Sequence, residues 1–218
     1  MYQHEILLVL GNRFTVLKVR MEQIIEEALN VSVGYIEYRN LIDALLEEGK
    51  TTGPNQSEDL LHYTNLNVTR MKRLDKTTRI EDEVRAVVQG LKRKQVWLVI
   101  TEAWCGDAAQ VIPVIEAIAS ESDLIQIKYV LRDEHTELID LFLTNGGRSI
   151  PKILLLDTEI DEVYASWGPR PSELQGVINA NKASDNPKPY SELSVDVQRW
   201  YAKDKTISIQ KEFSSVIR

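Results

Sequence analysis

The chain carries one cysteine, Cys105, within the run Trp104-Cys105-Gly106-Asp107-Ala108. A thiol acts as a nucleophile in its thiolate form, so its chemistry depends on its pKa and on what approaches it. Upstream, Val96-Trp97-Leu98-Val99-Ile100-Thr101 is a near-continuous apolar run, the pattern of a strand covered on both faces. Downstream, Val111, Ile112, Val114, Ile115 and Ile118 recur at helical spacing. Cys105 is therefore expected at the N-terminal end of a helix. Unpaired backbone N–H groups and the positive end of the helix dipole favour a thiolate there. Asp107 in the first turn suits the same dipole, but its charge opposes a neighbouring thiolate. The balance predicts a moderate depression of the thiol pKa, below the reference of about 8.5.

Other chemistry finds little support. His4, His62 and His135 are scattered and have no metal-ligand spacing, so neither metal nor cofactor is expected. No phosphate-binding or dinucleotide-binding glycine pattern occurs. His135 is not obviously near Cys105, which argues against a Cys–His hydrolase. Gly146-Gly147, within Asn145-Gly146-Gly147-Arg148, reads as a turn. Glu102 sits at the tip of the first strand, where a carboxylate is expected to be solvated. Arg148 could attract an anionic peptide or the carboxylates of a small thiol, although loop arginines are usually just solvated.

Composition narrows the class. Hydrophobic residues make up 43% and charged residues 27%, the balance of an ordinary soluble protein. The formal net charge is −7, and all of the excess acid falls in residues 96–218. That argues against nucleic acid and anionic membrane as partners. A single cysteine cannot form an internal disulfide, which suits a reducing cytoplasm. No stretch is long enough to span a bilayer. Ile6-Leu7-Leu8-Val9-Leu10 lacks the flanks of a signal peptide.

The elements that must hold Cys105 follow from periodicity. Residues 1–20 show some strand propensity but no amphipathic helix; they read as an upstream extension before Met21, or as an N-terminal arm. Residues 21–95 read as a helical extension. Tyr38, Leu41, Ile42, Leu45 and Leu46 form one stripe, Gly49 stops it, and 51–56 is a loop. Thr78-Arg79-Ile80-Glu81 has capping-box spacing before a further stripe of Val84, Val87, Val88 and Leu91. Arg70, Lys72, Arg73, Lys76 and Arg79 read as a solvated helix face. From 96 the order alternates: strand 96–101, helix 107–120, strand 124–131, helix 135–144, strands 152–157 and 161–167 joined by a turn at 157–160, and helix 171–180. A loop at 181–191 leads into a C-terminal helical tail, within residues 183–218.

This order over 96–182, with Trp-Cys-Gly at the first strand-to-helix junction, resembles the thioredoxin superfamily. Pro113 lies where thioredoxins carry a proline that bends the active-site helix. Ile150-Pro151 stands where the superfamily places a cis-proline beside the active cysteine. Trp167-Gly168 ends the last strand before a helix, again as in thioredoxins. From Met21 through the tail, the chain looks like a little-characterised group of bacterial thioredoxin-like proteins with a helical N-terminal extension. The resemblance implies an α/β fold of βαβ then ββα, a mixed central sheet flanked by helices. It implies Cys105 as the catalytic thiol. Trp104, Ile150, Pro151 and Gly168 would line the substrate groove, and Gly106, Asp107 and Pro113 would tune the helix. Two positions depart from the family. The second cysteine is replaced by Ala108, and the buried aspartate of the first strand by Val99. A dithiol–disulfide cycle cannot run within the chain.

A lone cysteine is usually a small buried hydrophobe; in this context an exposed, reactive thiol is expected instead. The leading reading is cytoplasmic monothiol thiol–disulfide exchange, with a small thiol or a cysteine-containing protein as partner. The alternative is a non-catalytic peptide- or protein-binding module. Oligomeric state is left open by the sequence.

Overall fold

The computed structural model describes residues 18–158 and 162–217. Four strands, β1 (Gln95–Thr101), β2 (Ile125–Leu131), β3 (Lys152–Asp157) and β4 (Glu162–Trp167), form one sheet in the order β2-β1-β3-β4. β1 runs parallel to β2 and antiparallel to β3, and β3 runs antiparallel to β4. As the apolar run requires, β1 is central. Trp97, Leu98, Val99 and Ile100 are fully buried.

Nine described helices surround the sheet. Helix α1 covers 18–31. It is followed by α2 (Tyr35–Glu47), α3 (Glu58–Thr77) and α4 (Asp82–Gln89), then by α5 (Gly106–Ala119) between β1 and β2. After β2 come α6 (Thr136–Asp140) and, beyond the sheet, α7 (Ser172–Ala183), α8 (Tyr190–Asp204) and α9 (Ile207–Ser214). A parallel β1–β2 pair needs a long crossover, and α5 supplies it. The expected α/β order of strands and helices across 96–182 is present, with helices before and after it.

Both flanking segments are built into the same core. Val33 exchanges backbone hydrogen bonds with Tyr129 (3.1 and 2.9 Å), closing the outer edge of β2. Tyr38 of α2 stacks on Tyr129 with ring centroids 5.2 Å apart. At the other end of the chain, Phe213 of α9 is fully buried. Its ring meets Trp97 edge-on at 4.9 Å and Trp167 at 5.8 Å. Gln210 of α9 accepts from the Glu81 N–H at 2.9 Å and donates to the Arg79 carbonyl at 3.0 Å, fastening the tail to the start of α4.

Local details depart from the sequence reading. Helix α1 runs through Met21 without a break, so Met21 marks no element boundary. The expectations for residues 1–17 lie outside the described residues, as does part of the turn expected at 157–160. Thr78 does not open a capping box: it ends α3, its hydroxyl donating to the Leu74 carbonyl, and the N-cap of α4 is Glu81. Helix α6 spans only Thr136–Asp140 rather than 135–144. Just beyond it, Thr144 and Gly147 exchange backbone hydrogen bonds (2.9 and 3.0 Å) across Asn145 and Gly146. Those two residues have φ of 50° and 76°, a two-residue turn that a right-handed helix cannot include.

Candidate functional site

Cys105 is the N-cap of α5, with extended backbone (φ −77°, ψ 116°). Its Sγ accepts from the Ala108 N–H at 3.5 Å, satisfying one of the free donors of the first turn. The thiol in turn donates to the Ile150 carbonyl at 3.2 Å, and the Ile150–Pro151 peptide bond is cis. The placement expected from sequence is therefore present, but the environment is not the expected one. Cys105 is only 8% exposed. Burial pushes its pKa up to about 12, and the charge of Asp107 adds to the rise. The N–H groups of Ala108 and Asp107 and the charge of Arg170 oppose that rise without overcoming it. The expected open thiol of depressed pKa is replaced by a covered, protonated one, because desolvation outweighs the helix terminus.

Two helices from outside the β1–α7 unit pack beside the Cys105 turn. On one side is α3. Asn67, itself buried, donates to the Ala103 carbonyl at 2.8 Å and accepts from Arg70 at 2.7 Å. On the other is α8. Gln198 accepts from Gln110 at 2.7 Å, and the Tyr201 hydroxyl donates to Asp107 Oδ1 at 2.7 Å. Arg170 donates to Asp107 Oδ2 through Nε at 3.0 Å and also through Nη2. Asp107 thus latches α8 and the segment just before α7 onto the first turn of α5. Gly106 suits the close approach of α8: a β-carbon there would lie 3.2 Å from Gln198 Nε2 and 4.0 Å from Arg70 Nη1.

The remaining sequence-chosen residues divide between contact and positioning. Trp104 and Ile150 line the same pocket as Cys105. The Arg132 guanidinium stands 4.8 Å above the Trp104 ring. Pro151 and Gly168 are not among the pocket-lining residues. They pack on each other: Gly168 has φ 115°, and a β-carbon there would sit 2.2 Å from the Pro151 carbonyl oxygen. Pro113 is buried inside α5, where it withholds a backbone donor from the turn before it. Arg148 does reach the pocket, while pairing with Asp140 through two 2.7 Å hydrogen bonds. Glu102 is not solvated. It is fully buried, and Oε1 accepts the Asp133 N–H at 2.9 Å. Burial raises its pKa against the Thr52 hydroxyl and that N–H.

Cys105 lies in a pocket of about 1030 Å³ lined by parts of α3, α8 and the 148–150 segment. Its arginine and lysine lining residues are Arg70, Arg132, Arg148, Arg170, Lys182 and Arg199, with His62 beside them, against a single carboxylate, Asp107. Arg70 is the residue that sequence reasoning misplaced. Lys72, Arg73, Lys76 and Arg79 are exposed, whereas Arg70 is half-buried and faces the pocket. The signal was available: Tyr63, Leu66 and Arg70 fall at i, i+3 and i+7 on α3, one stripe that also lines the pocket.

A family model described as thioredoxin matches residues 53–184. The chain belongs to the thioredoxin family. The matched segment begins at Gly53 and so takes in α3 and α4 as well as the sheet. Among solved structures, a protein of unknown function from Pseudomonas aeruginosa is similar at 14% identity and a TM-score of 0.56, covering 88% of this chain and 95% of its own. An HIV epitope scaffold is similar at 14% identity and a TM-score of 0.52, covering 85% of this chain and 98% of its own. At such identities the likeness speaks to the fold alone. No curated protein matches the chain. Among the described residues, no group of three or more His, Cys, Asp or Glu side chains could hold a metal ion, and no helix is long and apolar enough to cross a membrane.

For a thioredoxin-family chain the two departures have a consistent structural setting. Ala108 and Val99 are both buried, Val99 completely. The Ala108 N–H, rather than a second thiol, meets the Cys105 sulfur. No carboxylate stands at the Val99 position, and no second thiol needs one.

Proposed function

We propose that this thioredoxin-family protein is a binding protein whose ligand site is the pocket over Cys105, with the thiol serving there as a protonated hydrogen-bond donor. One observation carries the reading: the sulfur is buried and its hydrogen is committed to the Ile150 carbonyl. Burial pushes its pKa up to about 12, which leaves too little thiolate at neutral pH for ready exchange. The groove at Ile150 and Trp104, which in this fold meets an extended segment, is instead enclosed by α3 and α8 into a pocket.

Monothiol exchange is the second reading, favoured by the position of Sγ at a helix N-terminus with the Ala108 N–H directed at it. In that reaction the Cys105 thiolate attacks a disulfide sulfur of a small thiol or a partner protein. A mixed disulfide forms, the other sulfur leaves as a thiolate, and a second external thiol restores Cys105. It requires a state in which the sulfur is more exposed than its 8% here.

The pH dependence of reaction with an oxidised low-molecular-weight thiol separates the two. Binding with a covered thiol gives adduct formation at Cys105 that climbs about tenfold per pH unit without levelling off up to pH ~10. A plateau at or below pH ~8.5, together with rapid release of the adduct by external thiol, would sink the binding reading and leave exchange.

A further inference from the structure

The pocket has a charge opposite to that of the molecule. The chain carries a net charge of −7, yet six arginine and lysine side chains and one carboxylate line this cavity. That carboxylate, Asp107, is already taken at both oxygens by Arg170 and Tyr201. Three of the other cations have partners of their own: Arg132 with Asp133, Arg148 with Asp140 and Arg199 with Asp196. Arg70 and Lys182 do not. Among the described residues, neither has a carboxylate within ion-pair distance.

Arg70 is held by a neutral side chain rather than by a counter-charge. Asn67 anchors its Nη1 at 2.7 Å while gripping the Ala103 carbonyl just before the Trp104-Cys105 step. The guanidinium stands next to Gly106 at the start of α5. It is partly withdrawn from water with no counter-charge, an arrangement that costs free energy until an anion arrives. Much of the remaining wall is apolar or aromatic, including Tyr63, Leu66, Ile178 and Leu193. Apolar walls with a few fixed charges are the make-up of a small-molecule site, and about 1030 Å³ lies at the roomy end of the usual range of roughly 300–1,000 Å³.

We infer that the pocket takes an amphipathic anion: an apolar body against these walls and a carboxylate or phosphate head engaged by Arg70, with Lys182 adding to the attraction. The inference rests on reading the cavity as a ligand site and adds the class of ligand. A cleft with net positive lining concentrates such anions even on an acidic protein. The guanidinium fork suits either head group, each offering two oxygens to its donors.

Calorimetric titration of the full-length protein with octanoate, octyl phosphate and octanol tests it, and comparison of the two anions identifies the preferred head group. At least one anion should bind about tenfold or more tighter than octanol, and the bound anion should slow alkylation of Cys105. Arg70→Gln should weaken the anion about tenfold, as loss of a charge-assisted contact does, and Arg70→Lys, which keeps the charge but loses the fork, should recover only part of that loss. Lys182→Gln, at an exposed position that leaves folding intact, should weaken it about threefold, with the difference vanishing at high salt. Octanol binding as tightly as the anions, with Arg70→Gln and Lys182→Gln silent, would overturn the anion assignment and leave the pocket reading standing. Binding of none of the three, with Cys105 alkylation unchanged, would overturn both.

Discussion

Replacing Asp107 by Asn removes one charge from the junction between α5, α7 and α8, and the structure sets the size of the effect. The Asp107 and Arg170 side chains are 11% and 17% exposed. One carboxylate oxygen takes two guanidinium donors and the other takes the Tyr201 hydroxyl. Asn keeps the shape but presents an amide NH₂ to one of these partners. Facing Arg170, it sets donor against donor; facing Tyr201, it forces the hydroxyl to turn. In either case a largely buried guanidinium loses its counter-charge. Breaking a buried pair by removing one partner costs about 3–5 kcal/mol, and the residual exposure of this pair brings that to about 2–3 kcal/mol. For a chain of this size the melting temperature should fall by about 5–10 °C. Tyr201→Phe loses one hydrogen bond to a charge and should cost about 1–2 kcal/mol, and the double variant should cost less than the sum because the two share a carboxylate. Urea and thermal unfolding followed by circular dichroism measure all three. A second signal accompanies them: Asp107 is one of the causes that raise the Cys105 pKa, so Asp107→Asn should speed alkylation of Cys105. Stability of Asp107→Asn within about 0.5 kcal/mol of the wild type, with unchanged alkylation, would refute the latch.

Three further outcomes follow from the same coordinates. Gly168→Ala drives a β-carbon to 2.2 Å from the Pro151 carbonyl oxygen at a φ of 115°; with backbone on both sides it should cost more than about 3 kcal/mol, and a urea midpoint close to wild type would contradict the packing. Phe213→Ala removes a fully buried ring wedged between Trp97 and Trp167 and should cost about 3–5 kcal/mol, whereas a small loss would mean that α9 is not part of the core. The third concerns pH. The folded thiol has a pKa of about 12, above the unfolded reference of about 8.5, so the native state holds its proton where the unfolded state releases it. The stability of the wild type should therefore fall relative to Cys105→Ala as pH rises above 8.5, by about 1.4 kcal/mol at pH 9.5, and parallel curves for the two proteins would show that the thiol titrates normally.

What could be read from the residues, and what could not, divides by distance along the chain. The β1 run, the apolar stripe of α5 and the position of Cys105 between them are local patterns, set by period and by the strand-to-helix change. The packing of other helices around the Cys105 turn is not local. It depends on Asn67 and Arg70, some 35–40 positions before Cys105, and on Gln198 and Tyr201, more than 90 positions after it. No periodicity announces that those two helices converge on one turn of α5. The same limit explains Glu102, which looks like a strand-tip carboxylate until the 51–53 loop and Asp133 close over it. Thr78 shows a different failure: capping-box spacing is a frequent accident, and here the hydroxyl ends one helix instead of starting the next. The turn at Asn145-Gly146 was legible as a two-residue turn signal, but it lies beyond the expected helix end and does not account for α6 stopping at Asp140.

The most direct test is the ionisation of Cys105 in the folded protein, followed through thiolate ultraviolet absorbance, with Cys105→Ser subtracted to remove the tyrosines. A buried sulfur predicts no thiolate step below about pH 10, and its appearance only as the pH approaches about 12 or on unfolding. A step at or below pH ~8.5 in the native protein would show the helix terminus prevailing over burial and would contradict the account.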